Sequence, residues 1–590
     1  MIVSMKKIYL VLQEKDTSVA LESLRQLGII HVEYEKTPEG PRISEIKEEV
    51  QILTKVIGVL SSEGARQSSE QLSFQDWKAK AAEILAAQAE LHQLTEDIAK
   101  RQALISQWEP WGDFNPQEVV QLAMKGIDIK LAEISAKDLE KIPSKVIVQK
   151  ISEDKSKIRC VFISREKMEW PFETLRSPSM GLKAMQEAQR VDQEKIKAAE
   201  SKIRESLGYL NDFREILQQK QMDLEFQMVA AGMGEAEKLA YLKGYCPIDK
   251  CESLKKHAQK EQWGLLIEDP GLDDRVPTLL RNPKWIRLIE SLYNMMNVIP
   301  GYRELDISPF FLIFFSIFFG MLVGDAGYGF IFFLTTLFVH RKFGKRMPDK
   351  TFLYLTYVLS TVTIIWGILT GTVFGTLLFK QIFKPILPWL TEMKNVQMLC
   401  FALGAVHLTI SHLWRFLNKI PKPMGMLSEI GWITLLWVAF FLAKVLILGE
   451  PFSMTIVYIG LAAIMIIIVD IILQRQEVGV NLFLLFFNVI GVFTDVVSYI
   501  RLFAVGLATV AIADSFNQIA LDIGFNNIPQ AILASLVLIF VHLFLNLILA
   551  MLGVLVHGLR LNILEFSSHL NLEWRGIKYE PFRDLRVVKT

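Results

Sequence analysis

From Ile307 onward the chain runs through eight long apolar stretches, with only 20 Lys/Arg and 14 Asp/Glu in that half. A membrane-spanning helix needs about 20 mainly apolar residues. The stretches 308–323, 325–340, 352–379, 397–417, 426–448, 452–473, 481–519 and 529–566 are therefore predicted as eight transmembrane helices. The first 306 residues hold 44 basic and 49 acidic residues. A charged half of net −5 precedes an apolar half of net +6, and the overall +1 describes neither. One soluble globule is excluded, and so is a chain embedded throughout. No basic surplus points to nucleic acid, and no cofactor is expected.

Basic residues set the orientation. Loops on the side of the N-terminal half carry Arg341, Lys342, Lys345, Arg346, Lys350, Lys419, Lys422 and Arg475. The tail 571–590 adds Arg575, Lys578, Arg583, Arg586 and Lys589, against Lys380, Lys384 and Lys394 on the other side. Positive charge gathers on cytoplasmic loops. Both termini are thus expected in the cytoplasm, with the chain in the cell membrane and an even number of crossings. The last two stretches, 39 and 38 residues long, would run about 58 Å against a hydrocarbon core of about 30 Å. They must tilt strongly or project beyond the bilayer.

The charged half, 1–306, reads as a long hairpin with a lobe at each end, mainly helical with small α/β lobes. Strand patterns at 7–13 and 29–35 flank a helix at 17–28. Residues 235–270 form a second βαβ-like stretch that completes this proximal lobe with 1–40. Ile46, Val50, Leu53, Ile57 and Leu60 recur at steps of four and three. So do Ile84, Ala87, Leu91, Leu94 and Ile98, beyond a polar break at 61–73, and Ile105 keeps the frame with Arg101 in the skipped position. Ile196, Ala199, Ile203, Leu207, Leu210 and Leu217 mark a second long helix over 181–233. These arms, 41–107 and 181–234, predict an antiparallel coiled-coil hairpin. A distal lobe, 108–180, lies between them, with a short helix at 115–125 and strands at 145–151 and 157–164. Residues 271–306 are the linker to the membrane domain, 307–570.

Cys160, Cys246, Cys251 and Cys400 contain no CxxC pair, so neither a disulfide framework nor a zinc site is expected. After Lys6 and Lys7 the apolar run Ile8–Leu12 is too short for a signal peptide. GxxxxGK[ST] is absent, since Gly344–Lys345 is followed by Arg346. HExxH and GxSxG are absent too. No nucleotide site is expected in this chain.

The expensive residues carry the functional signal. Arg501, near the middle of the seventh stretch, stays charged and costs at least about 2.5–3.5 kcal/mol there. Ser498, Ala504, Val505, Ala508 and Ile512 share its helical face, a small-residue face open to close approach. Asp495 and Asp514, six and thirteen residues away, fall off that face. Either an external carboxylate meets Arg501 or another span supplies a static partner such as Asp470 or Glu429. On the last stretch His542, Asn546, Gly553, His557 and Arg560 fall within about 60° at α-helical periodicity. That stripe is either a wet ion path or interhelical hydrogen bonding. His407 and His412 read as structural, and Asp325 as a turn or cap residue.

The segment DVVSYIRLFAVGLA (495–508) resembles the signature of the membrane subunit a/I of V-type (A/V-type) rotary ATPases. HGLRLNILEF (557–566) resembles the second arginine motif of that family, FFGMLVGDAGYG (318–329) its first-span glycine motif and PGYRELDISPF (300–310) its pre-membrane linker. The resemblance covers essentially the whole chain. It implies a non-catalytic stator subunit facing a proteolipid (c/K) ring, with half-channels for H⁺ or Na⁺ coupled to ATP hydrolysis or synthesis. Arg501 would face the ring's carboxylate, with Arg560 in support. The lobes would dock the peripheral-stalk E and G subunits, and the short loops imply a prokaryotic member. Relatives carry further acidic and histidine residues along the half-channels. Here the available groups are Asp495, Asp514, His557 and Glu565, and Glu565 is either channel mouth or cap. A secondary ion transporter, or a membrane-anchored coiled-coil scaffold, is the alternative class.

Overall fold

The computed structural model describes residues 1–584 except 63–75, 136–141, 143–144, 154–157, 166–171, 346, 348, 378–380, 421–424 and 475–477. Of the basic residues used for orientation, Arg346, Lys380, Lys422, Arg475, Arg586 and Lys589 lie outside the described residues.

Strand β1 (Met5–Gln13) buries Ile8, Leu10 and Leu12 by simple alternation. Helix α1 (Thr17–Leu27) stops at Gly28, whose φ of 63° forms a left-handed cap. Strand β2 (His31–Glu33) follows. The hairpin arms are α2 (Pro41–Ser62) and α3 (Trp77–Trp108) going out. Returning are α5 (Leu182–Glu205) and α6 (Leu210–Gly232), joined by a 3₁₀ turn at Ser206–Tyr209. Between them α4 (Pro116–Met124) precedes an antiparallel sheet of β3 (Asp128–Ile134), β4 (Ile147–Glu153) and β5 (Ile158–Ser164), with β5 central. Sequence reading missed β3.

α2 packs on α6, and α3 on α5. Leu53, Val56, Leu60, Ile84 and Ala87 share one cluster with Ile203, Leu207, Leu210 and Phe213. The seam of α2 differs from the expected frame. It runs Ile46, Glu49, Leu53, Val56, Leu60, so Glu49 and Val56 replace Val50 and Ile57. Glu49 is tolerated because Lys220 (2.7 Å) and Lys78 (2.5 Å) pair with it. Arg101 meets Asp192 at 2.6 Å.

Strands β6 (Gly234–Ala236) and β7 (Leu239–Pro247), helix α7 (Cys251–Lys260) and strand β8 (Gly264–Glu268) build the proximal sheet, ordered β2-β7-β1-β8, with β6 beside β7. Strand β9 (Pro277–Thr278) and helix α8 (Glu290–Met296) lead to the apolar half.

There α9 (Ser308–Val323) and α10 (Ala326–Phe343) are bent by 119° at Gly324–Asp325. Next come α11 (Thr351–Thr370), α12 (Met393–Lys419), α13 (Met426–Leu448) and α14 (Met454–Gln474). α15 (Val478–Ser498) and α16 (Ile500–Ile523) form one 46-residue run broken at Tyr499. α17 (Ile528–His569) has 42 residues, with π turns at Val541–Leu545, Val554–Gly558 and Leu561–Phe566.

Each of the eight predicted segments contains helix, but they do not make eight separate spans. Among the described residues six helices are long and apolar enough to cross a membrane, or seven if the bent α9–α10 pair is one span. The predicted third span, 352–379, ends early because Gly371 (φ 75°) turns the chain back after Thr370. The tail folds too. Strand β10 (Ile577–Lys578) pairs in parallel with β9, and the Tyr579 hydroxyl donates to the Ile29 carbonyl at 2.6 Å.

The chain divides into two compact units. One comprises Met1–Leu10, Ile29–His31 and Lys243–Pro581, the other Val11–Gly28, Val32–Leu242 and the residues from Phe582. Packing therefore groups the linker with the apolar helices, whereas composition separates them at residue 306.

Candidate functional site

α16 is seated on α9 through Leu502 and Gly506. A Cβ on Gly506 would fall 2.4 Å from the Met321 carbonyl, so the two backbones touch. That contact leaves Arg501 at the edge, its side chain 27% exposed. Its guanidinium donates to Glu565 Oε1 at 3.0 Å, and Arg560 Nε approaches the same oxygen at 3.5 Å. Glu565 is buried, while Arg560 is about half exposed. The expected static partners sit elsewhere. Asp470 accepts from Gln474 at 2.8 Å, and Glu429 pairs with Lys419 and His412.

Helical periodicity hid the pairing of Glu565 with the arginines. Five residues separate it from Arg560, about 140° apart on an α-helix. The π turn Leu561–Phe566 closes i→i+5, at about 4.4 residues per turn, and brings the two side chains near one face. The same π turns split the expected stripe. His542, Asn546 and Gly553 are buried, His557 is half-buried and Arg560 points outward.

His542 and Asn546 belong to a closed network. Tyr328 Oη meets His542 Nδ1 at 2.7 Å, His542 Nε2 meets Asn517 Oδ1 at 2.9 Å, and Asn546 donates to Tyr328 Oη at 2.8 Å. A neutral His542 satisfies every link. Three runs, α10, α16 and α17, are tied there without an ion.

On one side of Arg501 lies a polar chain. Asp495 Oδ2 meets His569 Nε2 at 3.1 Å, His569 Nδ1 meets His412 Nε2 at 2.9 Å, and His412 Nδ1 meets Glu429 Oε2 at 2.7 Å. Arg415 (3.1 Å) and Lys419 (2.6 Å) complete the shell of Glu429. Three hydrogen bonds thus join four side chains from Asp495 to Glu429. It borders a cavity of about 480 Å³ that Asn481 and Asn488 also line. Ser498 bonds locally to the Asp495 carbonyl at 2.7 Å. His412 is thus part of a hydrogen-bonded chain, whereas His407 is stacked between Phe314 (4.0 Å) and Phe566 (4.2 Å). Sequence reading missed His569, because nothing in α-helical spacing links it to Asp495.

On the other side a second cavity of about 370 Å³ is bordered by Asp514, Thr372, Thr376 and Gly506. Its rim is the loop 371–377, pinned by two carboxylates. Asp325 caps α10 through the Gly327 amide (2.7 Å) and also accepts the Phe374 (2.9 Å) and Gly375 (2.8 Å) amides. Asp514 accepts the Thr376 amide and hydroxyl. Gly375 is required here. Its φ is 89°, and a Cβ would fall 2.4 Å from Asp514 Oδ1.

Among the described residues no group of three or more His, Cys, Asp or Glu could hold a metal ion.

No protein-family model matches the chain. It is 30% identical over 620 residues to the V-type ATP synthase subunit I of Borreliella burgdorferi, covering 99% of this chain and 100% of that one. Subunit I 1 of the V-type ATP synthase of Treponema pallidum is 29% identical over 630 residues, at 99% and 100% coverage. The A-type ATP synthase subunit I of Pyrococcus horikoshii is 30% identical over 336 residues, 55% of this chain and 50% of that one. A crystal structure of the cytoplasmic N-terminal domain of subunit I, homolog of subunit a, of V-ATPase aligns with 44% of this chain and 99% of that one, at 14% identity and a TM-score of 0.22. With the whole chain matched end to end and its apolar helices in place, this protein belongs to the subunit I family of V-type and A-type ATP synthases, and is a multi-pass membrane protein.

Proposed function

We propose that the chain is the stator of a rotary ATPase, passing ions between two offset half-channels against a turning proteolipid ring. The observation that carries this is the setting of Arg501. It stands between the two cavities, about 9 Å along the helix from Asp495 and about 20 Å from Asp514 at 1.5 Å per residue. Beside it Ala504, Ala508, Ala511 and Ser515 form an exposed strip of small residues, free for another helix to approach. A carboxylate arriving on that strip meets a fixed positive charge. At about 4 Å and an effective dielectric of about 20 the attraction is about 4 kcal/mol, enough to displace a bound cation. The same charge blocks direct leakage between the cavities.

The hydrogen-bonded Asp495–His569–His412–Glu429 chain favours H⁺ over Na⁺ as the ion on that side, because linked imidazoles and carboxylates can relay a proton. By the distribution of basic loops, that cavity opens to the cytoplasm, both termini are cytoplasmic and the bilayer is the cell membrane. The lobed hairpin docks the peripheral-stalk E and G subunits and resists torque.

The test is Arg501→Ala in the assembled complex in vesicles. ATP-driven ion uptake is abolished while soluble ATPase subunits and the ring protein still co-purify. Normal pumping by that variant defeats the reading.

A further inference from the structure

Two arginines and one buried carboxylate form the centre of this site, and their bonding is unequal. Glu565 Oε1 receives both Arg501 (3.0 Å) and Arg560 (3.5 Å). Oε2 is buried with no hydrogen-bond partner. A strong Arg–carboxylate pair is bidentate, with both oxygens engaged. This one is single-pronged, and its second oxygen is idle. Arg501 and Arg560 also keep part of their surface exposed, whereas Glu565 does not. The arginines face outward, and the carboxylate holds them from behind.

Charge counting gives the arrangement a purpose. Two guanidiniums and one carboxylate leave a net +1, which one further carboxylate neutralises. Without Glu565 an arriving carboxylate would face +2. Among the described residues, Tyr499 on the α15–α16 run feels the charge of Glu565, and His557 feels that of both arginines.

We infer that Glu565 is the resident rival of the ring's carboxylate: it keeps Arg501 paired between passages and weakens its hold on each arriving group enough for that group to leave. This rests on the stator reading above. Glu565 acts through Arg501 and is a positioning residue. The π turn Leu561–Phe566 is the backbone device that brings it to Arg560.

The experiment uses the whole ATPase complex in vesicles, with uptake followed by a pH-sensitive dye and by radioactive sodium across a pH series. Glu565→Gln lowers uptake roughly tenfold and moves the pH optimum down by about one unit, because uncompensated arginines favour the ionised ring carboxylate. Arg560→Gln moves the optimum up. The double variant Glu565→Gln/Arg560→Gln, with net +1 restored, returns it toward wild type. A packing role for Glu565 would not be rescued by the second substitution. A wild-type rate and profile for Glu565→Gln overturns the inference, and so does a loss of rate with no pH shift. If Glu565→Gln does not assemble, Arg560→Gln and the double variant decide, and an unmoved optimum in both overturns it. Normal pumping by Arg501→Ala defeats the stator reading itself. A dead Arg501→Ala beside an unaffected Glu565→Gln defeats this inference alone.

Discussion

Asp514 binds Thr376 twice across 138 residues, accepting its backbone amide at 2.7 Å and its hydroxyl at 2.5 Å. One carboxylate on α16 thus fixes the far end of the loop 371–377, while Asp325 fixes its middle. Hydrogen bonds to a charged group contribute about 1.5–3 kcal/mol each. Asp514→Ala is expected to free the loop without unfolding α16. A cysteine at Val373 then reacts faster with a maleimide than in the parent, and Asp514→Asn falls between. Equal labelling rates in all three would show that Asp514 does not hold the loop.

Tyr328→Phe removes the hydroxyl shared by His542 and Asn546. Both lose a partner inside the bundle, at about 1–3 kcal/mol for the groups left unsatisfied. The midpoint of thermal unfolding in detergent should drop by several degrees. No change would mean that the network is incidental to stability.

His569 is the middle of the polar chain, so His569→Ala breaks both of its links. Loss of a positioned proton carrier should slow ATP-driven acidification roughly tenfold or more, with assembly intact. Added imidazole fits a cavity of about 480 Å³ and should restore part of the rate. Failure of imidazole to act, together with an unaffected rate, would remove His569 from the path.

Glu49 makes the hairpin acid-sensitive. Burial alone would raise its pKa, but pairing with Lys220 and Lys78 outweighs that and holds it below the ordinary carboxylate value. A lowered folded-state pKa contributes stability above the unfolded value of about 4.3, lost as pH falls through the folded one. Glu49→Gln should therefore speed hydrogen exchange in α2 at neutral pH, by the equivalent of about 1–3 kcal/mol. The gap to the parent should close below about pH 4. A gap independent of pH would assign the effect to shape.

Apolar runs and heptads were legible because burial follows them directly, from Ile46 and Leu53 in the hairpin to the runs of α12–α14. Arg501 stood out because charge in lipid is costly. The partners were harder to read. Glu49 looks like a solvated residue beside Val50 until the two lysines are in place. Glu565 and His569 depend on π turns, which α-helical spacing misplaces. Asp514 and Thr376 meet only because Gly371 and Gly375 turn the chain back, and no local pattern reports a carboxylate 138 residues away.

The closure of the tail onto the start of the chain has a consequence in time. Tyr579 bonds to Ile29 across 550 residues, and β10 lies on β9, whose neighbours Leu279 and Leu280 also receive the first residues of the chain. At about 5–20 residues per second a ribosome needs roughly 30–110 s to cover that distance. Throughout that interval every helix of the apolar half must be inserted while the first lobe stays unfinished. The lobe begun around Ile29 is thus sealed only once Tyr579 has emerged.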